Sequence, residues 1–143
     1  MKQIHMDNAE HGEALQAMVD PNIPFVPGYD RCISITREGK LLGGVIYNNY
    51  RERSIQMHVA AFVTDWGNRD MLWNCFRYPF VTLGVERIFG MVPSTNEHAL
   101  QFDLRLGFVE HTRLKGAVPG GDLVVLSMDR HQCRWLALPR RKI

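Results

Sequence analysis

Residues 54–92 have the sequence SIQMHVAAFVTDWGNRDMLWNCFRYPFVTLGVERIFGMV, and their hydrophobic period changes twice. Residues 54–63 alternate between two sets of side chains, which predicts a strand in the middle of a sheet. Residues 71–83 carry apolar side chains at helical spacing up to Gly84, and residues 85–92 again predict a strand. A strand, a helix and a second strand in this order predict two parallel strands joined by a right-handed crossover.

The segments on both sides of this crossover predict further helices and antiparallel hairpins. The expected elements are a helix over residues 11–19, a hairpin from residues 32–36 and 41–50, a helix that opens at residues 94–97 and closes at Gly107, and a hairpin from residues 108–118 and 123–129. Ser94 and Glu97 have the spacing of a capping box for the third helix, and Pro79 should bend the end of the second. The predicted fold class is α/β (α+β), with residues 1–143 as one domain. Its sheet is expected to be mixed, mostly antiparallel, with about six or seven strands around the central parallel crossover and helices at its faces.

Composition excludes several classes of protein. The chain has 143 residues and a net charge of only +2, spread along its length, which gives no field that would indicate nucleic-acid binding. No apolar run approaches the roughly 18 residues of a membrane span, and residues 1–30 lack the core of a signal peptide. Three cysteines without a C-x-x-C pattern indicate neither a disulfide framework nor a metal site, and they fit a reducing cytoplasm. Arg140, Arg141 and Lys142 form a basic end that is either an ordinary solvated terminus or a tag for an acidic partner.

Two stretches of the chain resemble a known family. Residues 96–108, NEHALQFDLRLGF, are similar to the N-x-x-A-x-x-L-y-x-k-x-G-F signature of the GNAT superfamily of N-acetyltransferases, and the order of the elements agrees with that family. Residues 66–70, WGNRD, resemble the W-G-k-G-y loop of its ribosomal-protein-acetylating branch, as does the F-x-x-L-G-x-x-R-I pattern of residues 80–88. The resemblance covers residues 32–128 and extends to phage-encoded members.

The resemblance implies acetyl-coenzyme A as a co-substrate. In this family the two parallel strands splay apart, the pantetheine arm fills the gap like an extra strand, and backbone N–H groups at the start of the next helix hold the pyrophosphate. The residues that the resemblance assigns to the coenzyme are Phe62, Val63, Trp66, Gly67, Asn68, Arg69, Asp70 and Asn96. Arg69 replaces a glycine of the family, and its side chain either crowds the phosphates or clamps one of them. The alternative is a plain helix-start loop capped by Asp65 or Asn68, and a structural role for Asn96 at the start of its own helix.

The implied chemistry requires a base, because an amine must lose a proton before it attacks a thioester. His58 is the first candidate base, since it lies on the strand that lines the acyl site in the family, although a core histidine is the alternative. Glu110 is a second candidate. Asp103 stands where many relatives have a tyrosine general acid, and we expect an ionised carboxylate there that cannot donate a proton.

The acceptor of the acyl group is the least specified part of the prediction. Phe25, Tyr29 and Tyr47 are candidates for the wall of an acceptor pocket, with simple packing as the alternative. The acceptor is an amine, either a protein N-terminus, a lysine or a small amine, and the protein is expected to be a monomer or a homodimer with Trp135 as a dimer contact or an anchor for the tail. Two function classes therefore remain open, an active N-acetyltransferase and a catalytically inactive GNAT-fold binding or structural module.

Overall fold

The structure is a computed structural model that describes residues 1–137. Within that range the chain forms seven strands and three α-helices: β1 (Lys2–Met6), α1 (Ala9–Val19), β2 (Arg31–Arg37), β3 (Lys40–Asn48), β4 (Ser54–Ala61), α2 (Arg69–Arg77), β5 (Arg87–Pro93), α3 (Glu97–Leu106), β6 (Val109–Val118) and β7 (Gly121–Asp129). The strands form one sheet in the order β1-β2-β3-β4-β5-β7-β6. Only β4 and β5 are parallel, and every other pair is antiparallel. The predicted α+β class and the central parallel crossover are confirmed.

Helices cover the two faces of the sheet unequally. One face, here called the α1 face, is covered where α1 packs against β2, β3 and β4, and the buried cluster there includes Leu15, Ile46 and Ala60. Gly44 permits this close packing, because a Cβ atom at that position would lie 2.8 Å from Cδ1 of Leu15 on α1. The opposite face, here called the α2/α3 face, holds the larger buried cluster, to which α2, α3 and strands on both sides of the crossover contribute.

The first strand was not predicted from the sequence. It pairs with β2 over its whole length, from Lys2 opposite Arg37 to Met6 opposite Ile33. Five residues of mixed polarity carry little strand signal, because none of them is fully buried. The free edge of β2 therefore supplies the partner that makes this segment a strand.

The helix ends differ in detail from the predicted ones. The α-helical part of the second helix ends at Arg77, and Tyr78–Thr82 continues as a wider π-helical turn in which the N–H of Leu83 donates to the carbonyl oxygen of Tyr78 at 2.9 Å. Pro79, which lacks an N–H, lies in this turn, as the predicted bend requires. The predicted capping box at Ser94 is wrong, because Asn96 caps α3 and the Ser94 hydroxyl instead accepts from the N–H of Asp122 at 2.9 Å.

Candidate functional site

The central parallel strands part soon after they meet. β4 and β5 pair at three positions only, Ser54 opposite Arg87, Ile55 opposite Ile88 and Gln56 opposite Phe89. Beyond these pairs β4 stays bonded to β3, and β5 stays bonded to β7. Residues 57–61 of β4 thus have no strand partner on the side that faces β5. The result is a splayed opening of the kind that the family resemblance implies.

Two helices begin at the wide end of this opening. α2 follows β4 and is capped by Asn68, whose Oδ1 accepts from the N–H of Met71 at 2.8 Å. α3 follows β5 and is capped by Asn96, whose Oδ1 accepts from the N–H of Ala99 at 3.3 Å. A helix N-terminus carries partial positive charge and unpaired N–H groups, so this end of the opening favours an anionic group.

The loop between β4 and α2 is fixed from both sides. The indole of Trp66 is almost fully buried and packs against Phe102 of α3 with their ring centroids 6.1 Å apart. The ammonium of Lys2 donates to the carbonyl oxygen of Asp65 and, at 3.4 Å, to that of Gly67. The contact of Lys2 with this loop was not predicted from the sequence, since β1 was not predicted and no local pattern links residue 2 to the loop.

The structure brings the predicted coenzyme residues together at this end of the opening. Phe62 is 41% exposed, Val63 is half-buried, and Arg69 is exposed at the first position of α2. Gly67, Asn68 and Asp70 complete the segment between the end of β4 and the first turn of α2. Asn96 lies after β5, at the start of the neighbouring helix.

His58 lies on β4 just beyond the point of divergence, and its side chain is on the α1 face with Gln56 and Ala60. Its Nε2 is 3.3 Å from Oδ1 of Asn48. Burial lowers the pKa of His58, while the charge of Asp30 raises it. The net shift is downward, so the imidazole is neutral at pH 7 and has a lone pair available for a proton.

A polar network next to His58 was not foreseen. The hydroxyl of Tyr29 donates to Oδ1 of Asn49 at 2.7 Å, and Nδ2 of Asn49 donates to Oε1 of Gln56 at 2.7 Å. A sequence signal for this network was Gln56, a polar side chain two residues before His58 on the same face of β4. Together with His58 and Asn48, these groups form a polar edge beside the opening.

Phe25, Tyr29 and Tyr47 do not come together as one pocket wall. Tyr47 has no exposed surface and belongs to the core on the α2/α3 face, where its hydroxyl donates to the carbonyl oxygen of Cys75. Phe25 packs inside the α1 cluster against Gly12. Only Tyr29, which is 59% exposed, lies where an acceptor can reach it.

Glu110 lies far from His58. It is exposed on β6 at the edge of the sheet, where its carboxylate accepts two hydrogen bonds of 3.0 Å from Arg113. These bonds lower the pKa of Glu110. Three strand intervals separate β6 from β4, about 14 Å at ordinary spacing. A catalytic role for Glu110 stays a prediction that this position does not favour.

Asp103 differs from its expected state. Its side chain is half-buried on α3, and none of the ion pairs in residues 1–137 includes it. Burial raises the pKa of Asp103 to about 7. The expectation of a fully ionised carboxylate is therefore not supported, because a pKa near neutrality leaves a fraction of the molecules protonated there at pH 7.

Comparison with known proteins supports the fold. No protein-family model matches the chain, and no curated protein matches it in sequence. Among solved structures, a mutant of the spermidine N-acetyltransferase SpeG from Vibrio cholerae matches with a TM-score of 0.71 at 16% identity, over 94% of this chain and 97% of that one. A putative phosphinothricin N-acetyltransferase matches with a TM-score of 0.67 at 15% identity, over 90% and 98%. N-acetyltransferase PseH from Campylobacter jejuni, in complex with acetyl coenzyme A, matches with a TM-score of 0.57 at 17% identity, over 72% and 70%.

The chain has the GNAT fold. Identities below 20% support the fold and leave the ribosomal-protein-acetylating branch and a phage origin as predictions. The part of the GNAT fold described here contains no group of three or more His, Cys, Asp or Glu side chains that could hold a metal ion. Across residues 1–137, no helix combines the length and the apolar character needed to cross a membrane.

The end of the described chain folds back onto the GNAT core. Nε1 of Trp135 donates to the carbonyl oxygen of Leu106 at 2.7 Å, and its ring stacks on Phe76 with centroids 6.3 Å apart. Trp135 therefore anchors this segment to its own domain. The basic residues Arg140, Arg141 and Lys142 lie outside the described residues.

Proposed function

We propose that this chain is an N-acetyltransferase that moves an acetyl group from acetyl-coenzyme A to a primary amine by direct attack in a ternary complex. The opening between β4 and β5 carries this proposal, because it leaves residues 57–61 without a strand partner on the β5 side. An extended arm of amide groups can bond to such a free strand edge. The likeness to three N-acetyltransferase structures, one of them in complex with acetyl coenzyme A, supports the same reading.

The wide end of the opening fits the phosphates of the co-substrate. The N-termini of α2 and α3 both lie there, and Arg69 adds a full positive charge at the first position of α2. The ammonium group of Lys2 donates to the carbonyl oxygens of Asp65 and Gly67 in the preceding loop. These two carbonyl oxygens therefore point to Lys2. The donor set of this loop therefore suits an anion, which is what a pyrophosphate needs.

His58 is the proposed base. Its neutral imidazole takes the proton from the attacking amine as the new C–N bond forms and the C–S bond breaks. The leaving thiolate has a pKa near the cysteine value of about 8.5, so it leaves without strong help from an acid. Asn48 orients the imidazole through the contact at Nε2, and the proton passes from His58 to solvent. A cytoplasmic location stays a prediction, with which three buried free cysteines agree.

Binding of acetyl-coenzyme A is the first expected result. A ligand that binds only the folded state at one hundred times its Kd stabilises that state by about 2.7 kcal/mol. For a domain of this size the melting temperature should rise by roughly 8 to 13 °C. Differential scanning fluorimetry measures this rise, and thiol release with a panel of amines then measures transfer. Absence of both a thermal shift and a heat of binding would overturn the proposal and leave a GNAT-fold binding module.

Replacement of Arg69 with glutamate should reduce this thermal shift. The change places a negative charge at the first position of α2, where it repels the pyrophosphate. Arg69 is exposed, so the melting temperature without ligand should change little. Glu13→Gln, at an exposed position on α1, is the control and should keep the full shift. An equal shift in both variants would place the phosphates elsewhere.

A further inference from the structure

The α1 face of the sheet has an apolar half that no helix covers within residues 1–137. α1 packs against β2, β3 and β4 and does not extend over the other strands. Several apolar side chains on β5, β7 and β6 belong to neither buried cluster, and we call six of them the open face: Phe89, Met91, Leu123, Val125, Val109 and Leu114. Met91 is 40% exposed, Val109 48% and Leu114 51%. The face is therefore accessible and apolar.

Strand register places the open face beside His58. Gln56, which shares a face with His58, pairs with Phe89 of β5, so Phe89 and Met91 lie on the same side of the sheet. Met91 pairs with Val125 of β7, and Leu123 of β7 pairs with Leu114 of β6. The open face thus begins across the opening from His58 and continues to the edge of the sheet.

Charge is almost absent from this face. Among the described residues of these three strands, Asp129 is the one carboxylate on the α1 side, and its Oδ1 accepts from Nε of Arg87 at 2.7 Å. Asp30, on the far side of His58, is buried, and its Oδ2 accepts from the N–H of Val26 at 2.7 Å. A second or third ammonium group of a polyamine would therefore find no free carboxylate on the open face.

We propose that the open face holds the apolar part of the acceptor, so that the acceptor is a small primary monoamine on an aryl or alkyl group rather than a polyamine. This inference rests on the proposed acetyl transfer. The amine would lie against His58 and the polar edge of Gln56 and Tyr29, and the apolar group would lie on Phe89 and Met91. From β5 to β6 the face spans about 10 Å, and Phe89 lies about 7 Å from Met91 along the strand. A ring on a short linker fits these dimensions.

Competing amines test this inference with the unmodified protein. With acetyl-coenzyme A, kcat/KM for 2-phenylethylamine should exceed that for ethylamine by about tenfold to a hundredfold, as burial of a ring predicts. It should exceed that for spermidine by at least about tenfold. Equal or faster acetylation of spermidine would overturn the inference. A peptide with an N-terminal phenylalanine that is acetylated while 2-phenylethylamine is not would overturn it too, since the face would then take a polypeptide.

A matched pair of variants locates the contact. Met91→Glu should lower kcat/KM for 2-phenylethylamine by about tenfold or more, because it places a charge where the ring would lie. Met18→Glu makes the same change on α1, where Met18 is 45% exposed, and should leave kcat/KM unchanged. Equal effects of the two variants would overturn the assignment. Sedimentation provides a second check. If the unmodified protein is a dimer and Met91→Glu dissociates it, the assignment is overturned, because the open face would then join two copies of the chain.

The thermal shift with acetyl-coenzyme A separates the two proposals. Both variants should keep the shift of the unmodified protein, since neither residue lies in the loop before α2. A thermal shift without a preference for apolar amines would overturn this inference and leave the proposed function standing. The absence of a thermal shift and of thiol release with any amine would overturn both the proposed function and this inference.

Discussion

Replacement of His58 with glutamine is expected to lower kcat/KM for amine acetylation about a hundredfold or more, the usual contribution of a positioned base. Glutamine retains a polar group near Asn48 but cannot take a proton from the amine. Because burial lowers the pKa of His58, the neutral imidazole persists to a pH below the ordinary histidine pKa of 6.5. The rate of the unmodified protein should therefore fall only when the pH drops below about 6.5, and this acidic limb should be absent from the variant. The acidic limb is measured by recording kcat/KM between about pH 5 and 8 for both proteins.

A second variant tests the cause of the acidic limb. The charge of Asp30 raises the pKa of His58, so Asp30→Asn should move the limb to lower pH without lowering the plateau. The thermal shift with acetyl-coenzyme A should persist in His58→Gln, which separates loss of the base from loss of the fold. An unchanged pH profile in His58→Gln would make His58 a packing residue of β4.

Replacement of Asp103 with asparagine should raise the free energy of unfolding at pH 8 by up to about 4 kcal/mol, because each unit of pKa shift corresponds to about 1.4 kcal/mol. Burial raises the pKa of Asp103 from 3.8 to about 7. The folded protein therefore holds this proton more tightly than the unfolded chain. The stability that this bound proton contributes is complete below pH 3.8 and is lost as the pH rises toward about 7. Asparagine has no charge to bury, so the variant should lack this pH dependence.

Urea unfolding at about pH 5 and pH 8 measures the gain from Asp103→Asn. Most of the gain should be absent at pH 5, where the unmodified carboxyl is still largely protonated in the folded state. Glu13→Gln, at an exposed position on α1, is the control and should change the free energy of unfolding by less than about 0.5 kcal/mol at both pH values. The same gain for Asp103→Asn at both pH values would contradict the raised pKa.

Local patterns predicted the elements whose side chains follow one period. Residues 54–63 alternate because β4 is covered on both faces, and residues 71–83 repeat at helical spacing because α2 buries one side. Gly107 marks the end of α3 with a φ of 115°, a conformation that glycine adopts without strain, whereas the predicted cap at Ser94 was two residues away from the actual cap, Asn96. These signals lie within a few residues of the structure they specify, so the sequence could be interpreted without knowledge of distant contacts.

The candidate site was predicted in part, and its failures follow a pattern. Trp66, Asn68 and Arg69 lie at the start of α2, as the loop and helix-start pattern predicts, since these are local features, and their role in coenzyme binding stays a prediction. Tyr47 was predicted as a pocket wall, yet its position in β3 directs it to the core on the α2/α3 face. A residue's type gives no information about which face of the sheet it joins, because that depends on the register with neighbouring strands.

The sequence by itself determined the crossover and the helix start after residues 66–68, whereas the splayed strands and the anion site were expected from the family resemblance. Tertiary structure alone decided three other features: β1 with its Lys2 against the loop, the polar edge around His58, and the open face on β5, β7 and β6. Each of these joins residues that are distant in the chain. Their contacts arise from strand pairing, whose partners and register are set by the packing of the whole sheet rather than by any short stretch of residues.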